Sequence, residues 1–205
     1  MRKLGWALSL AGALCALGAA PTKTTGKEKK MSRDYANTLA TIQTDVGDIR
    51  IKFYYDKAPK HVQNFVDLAA SGFYNGTFFH RVIPGFMIQG GDPNTKKSPE
   101  DPSRRYGTGG NVVNGQEKRL PAEFNDISHK RGIVSMARSQ DPNSASSQFF
   151  IVVKDSPFLD GQYTVFGEVI SGMDVADKIV NAPRGANDLP NNPVHIKKIV
   201  LEQVK

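Results

Sequence analysis

Two short runs of alternating apolar and polar residues open the globular part of the chain. Residues 38–44 and 48–54 alternate with a period of two and are separated by a turn signal, so they predict a β-hairpin with one buried face. Residues 58–71 then change to a helical period, with an apolar stripe along one side. Pro59 suits the first turn of a helix and Gly72 can end it, so this stretch predicts an α-helix.

The second half of the chain continues mainly as short strands. Residues 93–116 are polar and rich in glycine, which predicts a long loop. Such a loop is a candidate for selecting binding partners, and a plain solvated loop is the alternative. Strands are predicted at 132–137, 148–153, 164–169 and 195–204, and a short helix is predicted at 173–181.

The stretch 78–92 combines a cation, apolar side chains and an amide within a few residues. Pro84 and Gly85 form a turn signal between two predicted strands, and Arg81 lies on the first of these strands. A guanidinium beside an aromatic ring and a thioether is an unusual lining for a cleft, and it suits an apolar ring that carries a carbonyl group. The period of two predicts Phe86, Ile88 and Gly90 on one face of the second strand and Met87, Gln89 and Gly91 on the other.

Composition supports a single turn-rich β domain. The chain has 205 residues, of which 39% are hydrophobic, with 19 glycines and 12 prolines. This length allows one good core with short appendages. The formal net charge is +7, and much of the excess lies in one lysine-rich run near the amino terminus.

The amino-terminal segment predicts export. Residues 1–20 have a basic start, an apolar run that is short for a membrane span, and small residues at the end, which indicates a cleaved signal peptide. Residues 21–36 predict a basic flexible linker, and residues 37–205 predict the folded domain. The single cysteine, Cys15, lies in the predicted signal peptide, so the domain must fold without disulfides. We therefore expect a bacterial periplasmic or cell-envelope protein, or one of a secretory lumen if the source is eukaryotic, without stable membrane insertion after cleavage.

Several chemistries do not fit the residues. The four histidines have no metal-binding spacing and no cysteine partner, so we expect neither a metal nor another cofactor. The glycines at 107–110 precede no helix that could bind phosphate, and the serines near 146 lack the pattern of a hydrolase nucleophile. The lysine-rich run has no interleaved aromatic residue or nucleic-acid motif, so a solvated tether is favoured over an arm for anionic surfaces and no nucleic-acid partner is expected.

The remaining motifs resemble those of the cyclophilin-type peptidyl-prolyl cis-trans isomerases. The resemblance covers about residues 39–201, and some of the motifs are similar to those of bacterial members. It implies a mainly β fold, a closed eight-stranded antiparallel barrel capped by two α-helices, with the active groove on its outer surface. The motifs that carry it are F-H-R-V-I-P-G-F-M-I-Q-G-G-D from Phe79, G-T-G-G from Gly107, G-I-V-S-M-A-R from Gly132, S-S-Q-F-F-I from Ser146, and L-D-G-Q-Y-T-V-F-G-E-V from Leu159.

The resemblance also implies roles for individual residues. Arg81 resembles the catalytic arginine of the family, and Gln89 is assigned to the catalytic group with it. Phe158 and Tyr163 stand where many eukaryotic members have Trp and His, which predicts weak cyclosporin binding. The implied substrate-binding residues are Phe86, Met87, Ala137, Arg138, Gln148, Phe150, Phe158, Leu159 and Tyr163.

The predicted function is therefore acceleration of X-Pro bond rotation in unfolded or flexible protein clients, without a covalent intermediate. The expected partners are proline-containing polypeptides, and the domain is expected to be a monomer. Ordinary core packing remains the alternative for Phe86, Met87 and Phe150, and strand support remains the alternative for Gln148. A non-catalytic module that holds proline-containing segments, as a chaperone or scaffold, is the alternative from another class.

Overall fold

The computed structural model describes residues 33–97, 101 and 105–204. The predicted signal peptide, 1–20, and most of the predicted linker lie outside this part of the chain. The helices are α1 (Pro59–Ala70) and α2 (Met173–Val180). The strands are β1 (Thr38–Thr44), β2 (Gly47–Phe53), β3 (Arg81–Ile83), β4 (Met87–Gly90), β5 (Val112–Val113), β6 (Gln116–Glu117), β7 (Ile133–Met136), β8 (Phe149–Val152), β9 (Val165–Ser171) and β10 (Ile196–Gln203).

Eight of these strands form one antiparallel sheet in the order β10-β1-β2-β9-β7-β8-β4-β3, while β5 and β6 pair with each other. The predicted first hairpin is present, with Ile42 opposite Ile49 and Ala40 opposite Ile51. These four side chains are fully buried. The alternation of the sequence therefore predicts the strands and the buried face at the start of the domain correctly.

The prediction of a closed barrel is wrong, because the sheet is a curled half-barrel. Its edge strands are β10 and β3, and no ladder joins them in the described part of the chain. An isolated bridge between Phe78 and His195 lies just before each of these strands. β3 has only three residues, and no ladder continues this contact between β3 and the free edge of β10.

Helix α1 packs on the inner face of the sheet and confirms the helix predicted over 58–71. Its buried residues, which include Phe65 and Val66, lie on one face. Ala58 precedes the helix and has no side chain that could cap it. The carboxylate of Glu123 instead accepts hydrogen bonds from the backbone N–H groups of Lys60 and His61, at 3.1 and 3.0 Å. An acid from a distant loop thus satisfies donors that the first turn leaves unpaired.

The sheet carries apolar side chains on both faces. In β8, Phe149 and Ile151 belong to the main core, whereas Phe150 and Val152 belong to a second apolar cluster. The same alternation divides Ile88 from Met87 in β4. A strand buried on both faces has a continuous apolar sequence, which explains F-F-I-V in β8. The second cluster is the apolar base of the candidate site.

The contacts of the domain begin before the predicted boundary at residue 37. The guanidinium of Arg33 lies 2.7 Å from a carboxylate oxygen of Asp67, and the ring of Tyr35 stacks on Tyr55 with 6.0 Å between centroids. These residues of the predicted linker therefore pack on the domain. Among the described residues, no helix has both the length and the apolar character needed to cross a membrane.

Candidate active site

The second apolar cluster forms one wall of a surface cavity of about 400 Å³. Met87, Phe150 and Leu159 are buried in it. The ring of Phe150 stacks on His129 at 6.2 Å and meets Tyr163 edge-on at 5.7 Å. Aromatic contacts on two sides restrict the orientation of this ring. The cavity therefore has an apolar wall whose shape is fixed before any ligand binds.

Phe86 does not lie where the strand period predicted. It belongs to the turn before β4, so the alternation with Ile88 does not extend to it. Its side chain instead packs with the second cluster and lines the same cavity as Met87. Its ring lies 5.4 Å from that of Phe158, which is 63% exposed. These two rings form the outer rim of the apolar wall.

Arg81 lines the same cavity as the aromatic rim. It is directly opposite Gln89 in the β3–β4 pairing. Its Nε lies 3.7 Å from a carboxylate oxygen of Asp188, and its side chain is 44% exposed. The short 3₁₀ helix Ala186–Asp188 carries this acid. The terminal nitrogens of the guanidinium have no hydrogen-bond acceptor among the described residues, so they are available to a ligand.

Two glutamines join the cavity to the neighbouring loop. The side-chain amide of Gln89 donates to the side-chain oxygen of Gln148 at 2.9 Å, and the amide of Gln148 donates to the carbonyl of Gly109 at 2.8 Å. Gln148 thus supports a loop carbonyl rather than its own strand. A Cβ at Gly91, where φ is +83°, would lie 2.6 Å from the carbonyl oxygen of Ser147. Only glycine allows β4 to end so close to this loop.

The residues directly after β7, Ala137 and Arg138, also line the cavity. Ala137 donates its backbone N–H to the carbonyl of Gln148, and Arg138 places its guanidinium 4.6 Å from the centre of the Tyr163 ring. The side chain of Gln162, which sequence reasoning did not identify, also lines the cavity. It donates to the carbonyl of Phe158 at 2.8 Å.

The structure brings the predicted residues together in one place. Gln148 lines an adjoining cavity of about 340 Å³ and reaches this site through Gln89. Sequence reasoning missed His129 and Asp188, because their proximity to Phe150 and Arg81 depends on tertiary structure. The predicted residues that line the 400 Å³ cavity are Arg81, Phe86, Met87, Gln89, Ala137, Arg138, Phe150, Phe158, Leu159 and Tyr163.

The neighbour of Arg81 in the sequence, His80, is a buried base. Neither of its ring nitrogens has a hydrogen-bond partner among the described residues. Burial lowers the pKa of His80 to about 4. Burial also lowers the pKa of His61, although Glu123 opposes this shift. Both imidazoles are therefore neutral in the folded protein at neutral pH.

We expect these histidines to make the protein less stable in mild acid. Because the unfolded chain binds their protons at higher pH than the folded chain, the stability is present above about pH 6.5 and is lost as the pH falls. At roughly 1.4 kcal/mol per pKa unit, His80 contributes up to about 3 kcal/mol between its unfolded pKa and its folded one. Urea unfolding at a series of pH values measures the slope of the free energy of unfolding against pH. His80→Gln should reduce the slope and leave the share of His61, whereas an unchanged slope would contradict the assignment.

Among the described residues, no three His, Cys, Asp or Glu side chains are grouped so as to hold a metal ion. What the site offers is a cation with free donors, an apolar wall and a neighbouring strand end. This combination defines a surface groove that can bind a peptide segment with an apolar ring and a polar backbone.

Comparisons with known proteins agree with this description. The family described as Cyclophilin type peptidyl-prolyl cis-trans isomerase/CLD matches residues 39–201. A "Probable peptidyl-prolyl cis-trans isomerase" of Brucella abortus is 48% identical over 172 residues, which cover 82% of this chain and 84% of the relative. The human "Peptidyl-prolyl cis-trans isomerase-like 3" is 43% identical over 164 residues, which cover 78% and 94% of the two chains.

A solved structure gives the same result for the fold. The crystal structure of a cyclophilin type isomerase of Cryptosporidium parvum in the presence of the dipeptide Ala-Pro has a TM-score of 0.71 and 35% identity, and the match covers 81% of this chain and 99% of that one. The chain therefore belongs to the cyclophilin-type peptidyl-prolyl cis-trans isomerase family. It is an isomerase that accelerates rotation about X-Pro bonds, an activity whose general role is to assist protein folding.

Proposed function

We propose that the 400 Å³ cavity is the site of isomerisation, with the proline ring against Met87, Phe150 and Leu159 and the guanidinium of Arg81 directed at the peptide group. The observation that carries this proposal is the position of Arg81. Arg81, whose terminal nitrogens have no acceptor among the described residues, lines the same cavity as the apolar wall, so one bound residue can contact both. The Ala-Pro dipeptide named with the Cryptosporidium structure supports a proline-containing ligand for this chain.

Arginine suits the chemistry of the rotation. Amide resonance gives the X-Pro bond a barrier of about 18–20 kcal/mol. When the bond twists, the prolyl nitrogen regains its lone pair and accepts a hydrogen bond. Arg81 can donate this bond and cannot lose its proton while doing so. The interaction is therefore stronger in the transition state than in the planar ground state, as catalysis requires.

The arginine does not account for the whole rate increase. A turnover of about 10² to 10³ per second requires the barrier to fall by roughly 5–7 kcal/mol. A charge-assisted hydrogen bond supplies about 1.5–3 kcal/mol. The remainder comes from partial removal of water and from holding the proline ring while the preceding carbonyl rotates. The buried, restricted rings of the apolar wall provide this hold, and the chemistry forms no covalent intermediate.

The strand end at Ala137 and Arg138 fits the role of a backbone partner for the client, and Gln89 and Gln148 form the polar border of the cavity. Gln89 lies opposite Arg81 across two paired strands, so we assign it a place beside the reacting peptide group. The hydrogen bond from Gln89 to Gln148 limits the orientation of both amides.

Peptide NMR with the full chain tests this site. An Ala-Pro peptide should show cis-trans exchange cross-peaks that depend on the protein, and the largest chemical-shift changes should fall on residues of the 400 Å³ cavity. Shift changes centred elsewhere would reject the site. Binding in the cavity without faster exchange would replace catalysis by the holding of proline-containing segments.

We expect weak cyclosporin binding, because Phe158 lacks the N–H donor that Trp supplies at this place in many members. We expect Phe158→Trp to tighten cyclosporin binding by about threefold to tenfold, the contribution of one neutral hydrogen bond. Isothermal titration calorimetry measures the change. Phe158→Tyr is a control for a different polar group, and equal affinities for the wild type and Phe158→Trp would contradict this account.

We further propose that the protein works outside the cytoplasm as a monomer on flexible, proline-containing clients and does not bind nucleic acid. The pattern of residues 1–20 supports export. Amino-terminal sequencing of the protein from fractionated cells tests the cleavage, and an intact Met1 in a cytoplasmic fraction would refute it. Exported clients meet the enzyme while they are still unfolded. In that state, both isomerisation and the holding of proline-containing segments assist folding.

A further inference from the structure

The side chain of Arg138 is held at the centre of the groove. It lines the 400 Å³ cavity, the adjoining 340 Å³ cavity and a third cavity of about 710 Å³ that Arg81 also lines. The two other cavities share Gln89 and Arg138 with the 400 Å³ cavity, so a client whose proline occupies that cavity can place its neighbouring residues in either of them. The guanidinium of Arg138 therefore faces the residues next to the proline as well as the proline itself.

Three hydrogen bonds and an aromatic ring fix this guanidinium. Its Nε donates to the carbonyl of Gln162 at 2.9 Å. Its Nη1 donates to the carbonyls of Ser139 and Gln140 at 2.8 and 3.2 Å, and its plane lies against Tyr163. Arginine has five N–H donors, and these contacts use three of them. The two donors of Nη2 have no acceptor among the described residues.

The charge of Arg138 is also not neutralised. Its three acceptors are carbonyls, and it forms no ion pair within the described part of the chain. The two acids that line the neighbouring cavities already have cationic partners. Asp188 lies 3.7 Å from Arg81 and 3.5 Å from Arg184, and Glu117 lies 3.3 Å from Arg119. The described lining of the proline cavity itself contains two arginines and no carboxylate.

We infer that Arg138 is a specificity residue that favours X-Pro segments with an acidic side chain one or two positions from the proline. The inference rests on the proposed function, because it requires the proline to occupy the 400 Å³ cavity. A guanidinium already held by carbonyls loses little side-chain entropy when it binds a carboxylate. Its free Nη2 donors can form a charge-assisted hydrogen bond. The main chain of this residue pairs with the client backbone, whereas its side chain selects the client.

A set of capped pentapeptides tests this selection. The proline is the central residue, and Glu, Gln or Lys is placed in turn at each of the two positions before it and each of the two positions after it. The kcat/KM of each peptide is measured by exchange NMR with the full chain. At one position or more, we expect the Glu peptide to exceed its Gln isostere by about threefold to tenfold and the Lys peptide to fall below it. The preference should nearly vanish at about 1 M salt, where the Debye length is roughly 3 Å.

Two variants distinguish the selection of acidic peptides by Arg138 from an effect of the protein's net charge and from a loss of folding. Arg138→Gln should give equal kcat/KM for the Glu and Gln peptides, even where it lowers both. Lys198→Gln removes the same charge from β10, which lines none of these cavities, and should keep the wild-type ratio. Equal values for Glu and Gln peptides in the wild type, or a preference that survives Arg138→Gln, would overturn the inference. A wild type that accelerates no peptide, the Ala-Pro reference included, would instead refute the proposed function.

Discussion

We expect the replacement of Arg81 with alanine to lower the kcat/KM of the enzyme for an Ala-Pro peptide by about 10-fold to 150-fold. This range corresponds to the loss of one charge-assisted hydrogen bond of roughly 1.5–3 kcal/mol in the transition state. The loss should lie mainly in kcat, because the ground-state amide nitrogen accepts such a bond poorly. The side chain of Arg81 is 44% exposed and its ion pair with Asp188 is 3.7 Å long. Removing it should therefore change the free energy of unfolding by less than about 1 kcal/mol.

Arg184→Ala is the matched control for this measurement. Arg184 carries the same charge and lies near the same acid, Asp188, but it does not line the 400 Å³ cavity. We expect this variant to keep nearly all of the wild-type activity. If Arg81→Ala and Arg184→Ala lower kcat/KM equally, the effect of Arg81 is one of general electrostatics and the proposed catalytic hydrogen bond is wrong.

The second large effect is on folding and concerns Phe65 at the centre of the core. Its ring is fully buried in the middle of α1. It lies between 5.1 and 5.6 Å from the rings of Phe53, Tyr74, Phe149 and Phe166. Phe65→Ala removes contacts with all four and leaves a cavity that the strands and the helix cannot fill, so we expect a loss of about 3–5 kcal/mol.

Urea unfolding measures this loss as a lower midpoint with an unchanged slope. Phe158→Ala makes the same substitution at a ring that is 63% exposed, and we expect it to change stability by less than about 1 kcal/mol. A similar loss in both variants would show that burial does not determine the effect. A loss below about 1 kcal/mol for Phe65→Ala would show that the cluster around α1 repacks.

Local patterns in the sequence predict strands and helices well where one face of the element is buried and the other is exposed to solvent. The hairpin of β1 and β2 and the helix α1 satisfy this condition, and their bounds differ from the prediction by a residue or so. The short hairpin of β5 and β6 does not satisfy it. Val112 and Val113 are both exposed, so no alternation marks them, and the sequence pattern predicts a loop there. The turn at Asn114 and Gly115, with positive φ at both, was the available signal.

Closure of the sheet could not be derived from such patterns. Whether β3 and β10 pair depends on the lengths and positions of two strands that lie more than a hundred residues apart, and side-chain alternation is the same in a closed and an open sheet. The face of Phe86 was missed for a related reason. The sequence indicates a turn at Pro84 and Gly85, but not that the turn continues for one more residue before β4 begins.

The residues that line the candidate site could be predicted from the sequence, but the neighbours that contact them could not. Arg81, Gln89 and Phe150 are conspicuous because their types are unusual for their strands or belong to recognisable motifs. His129 and Asp188 touch two of them only after folding, at 6.2 and 3.7 Å. The buried state of His80 was likewise invisible, since an imidazole next to an arginine resembles a polar surface pair.

The position of the groove has a consequence for which prolines the enzyme can reach. One rim, Phe158, is 63% exposed, and the cavity lies on the outer face of a sheet whose inner face is filled by the core. A polypeptide can therefore enter sideways, as a bend in the middle of its length, and does not have to be threaded from an end. If this groove is the site of isomerisation, as proposed, prolines within long loops are then accessible as well as prolines near a chain end.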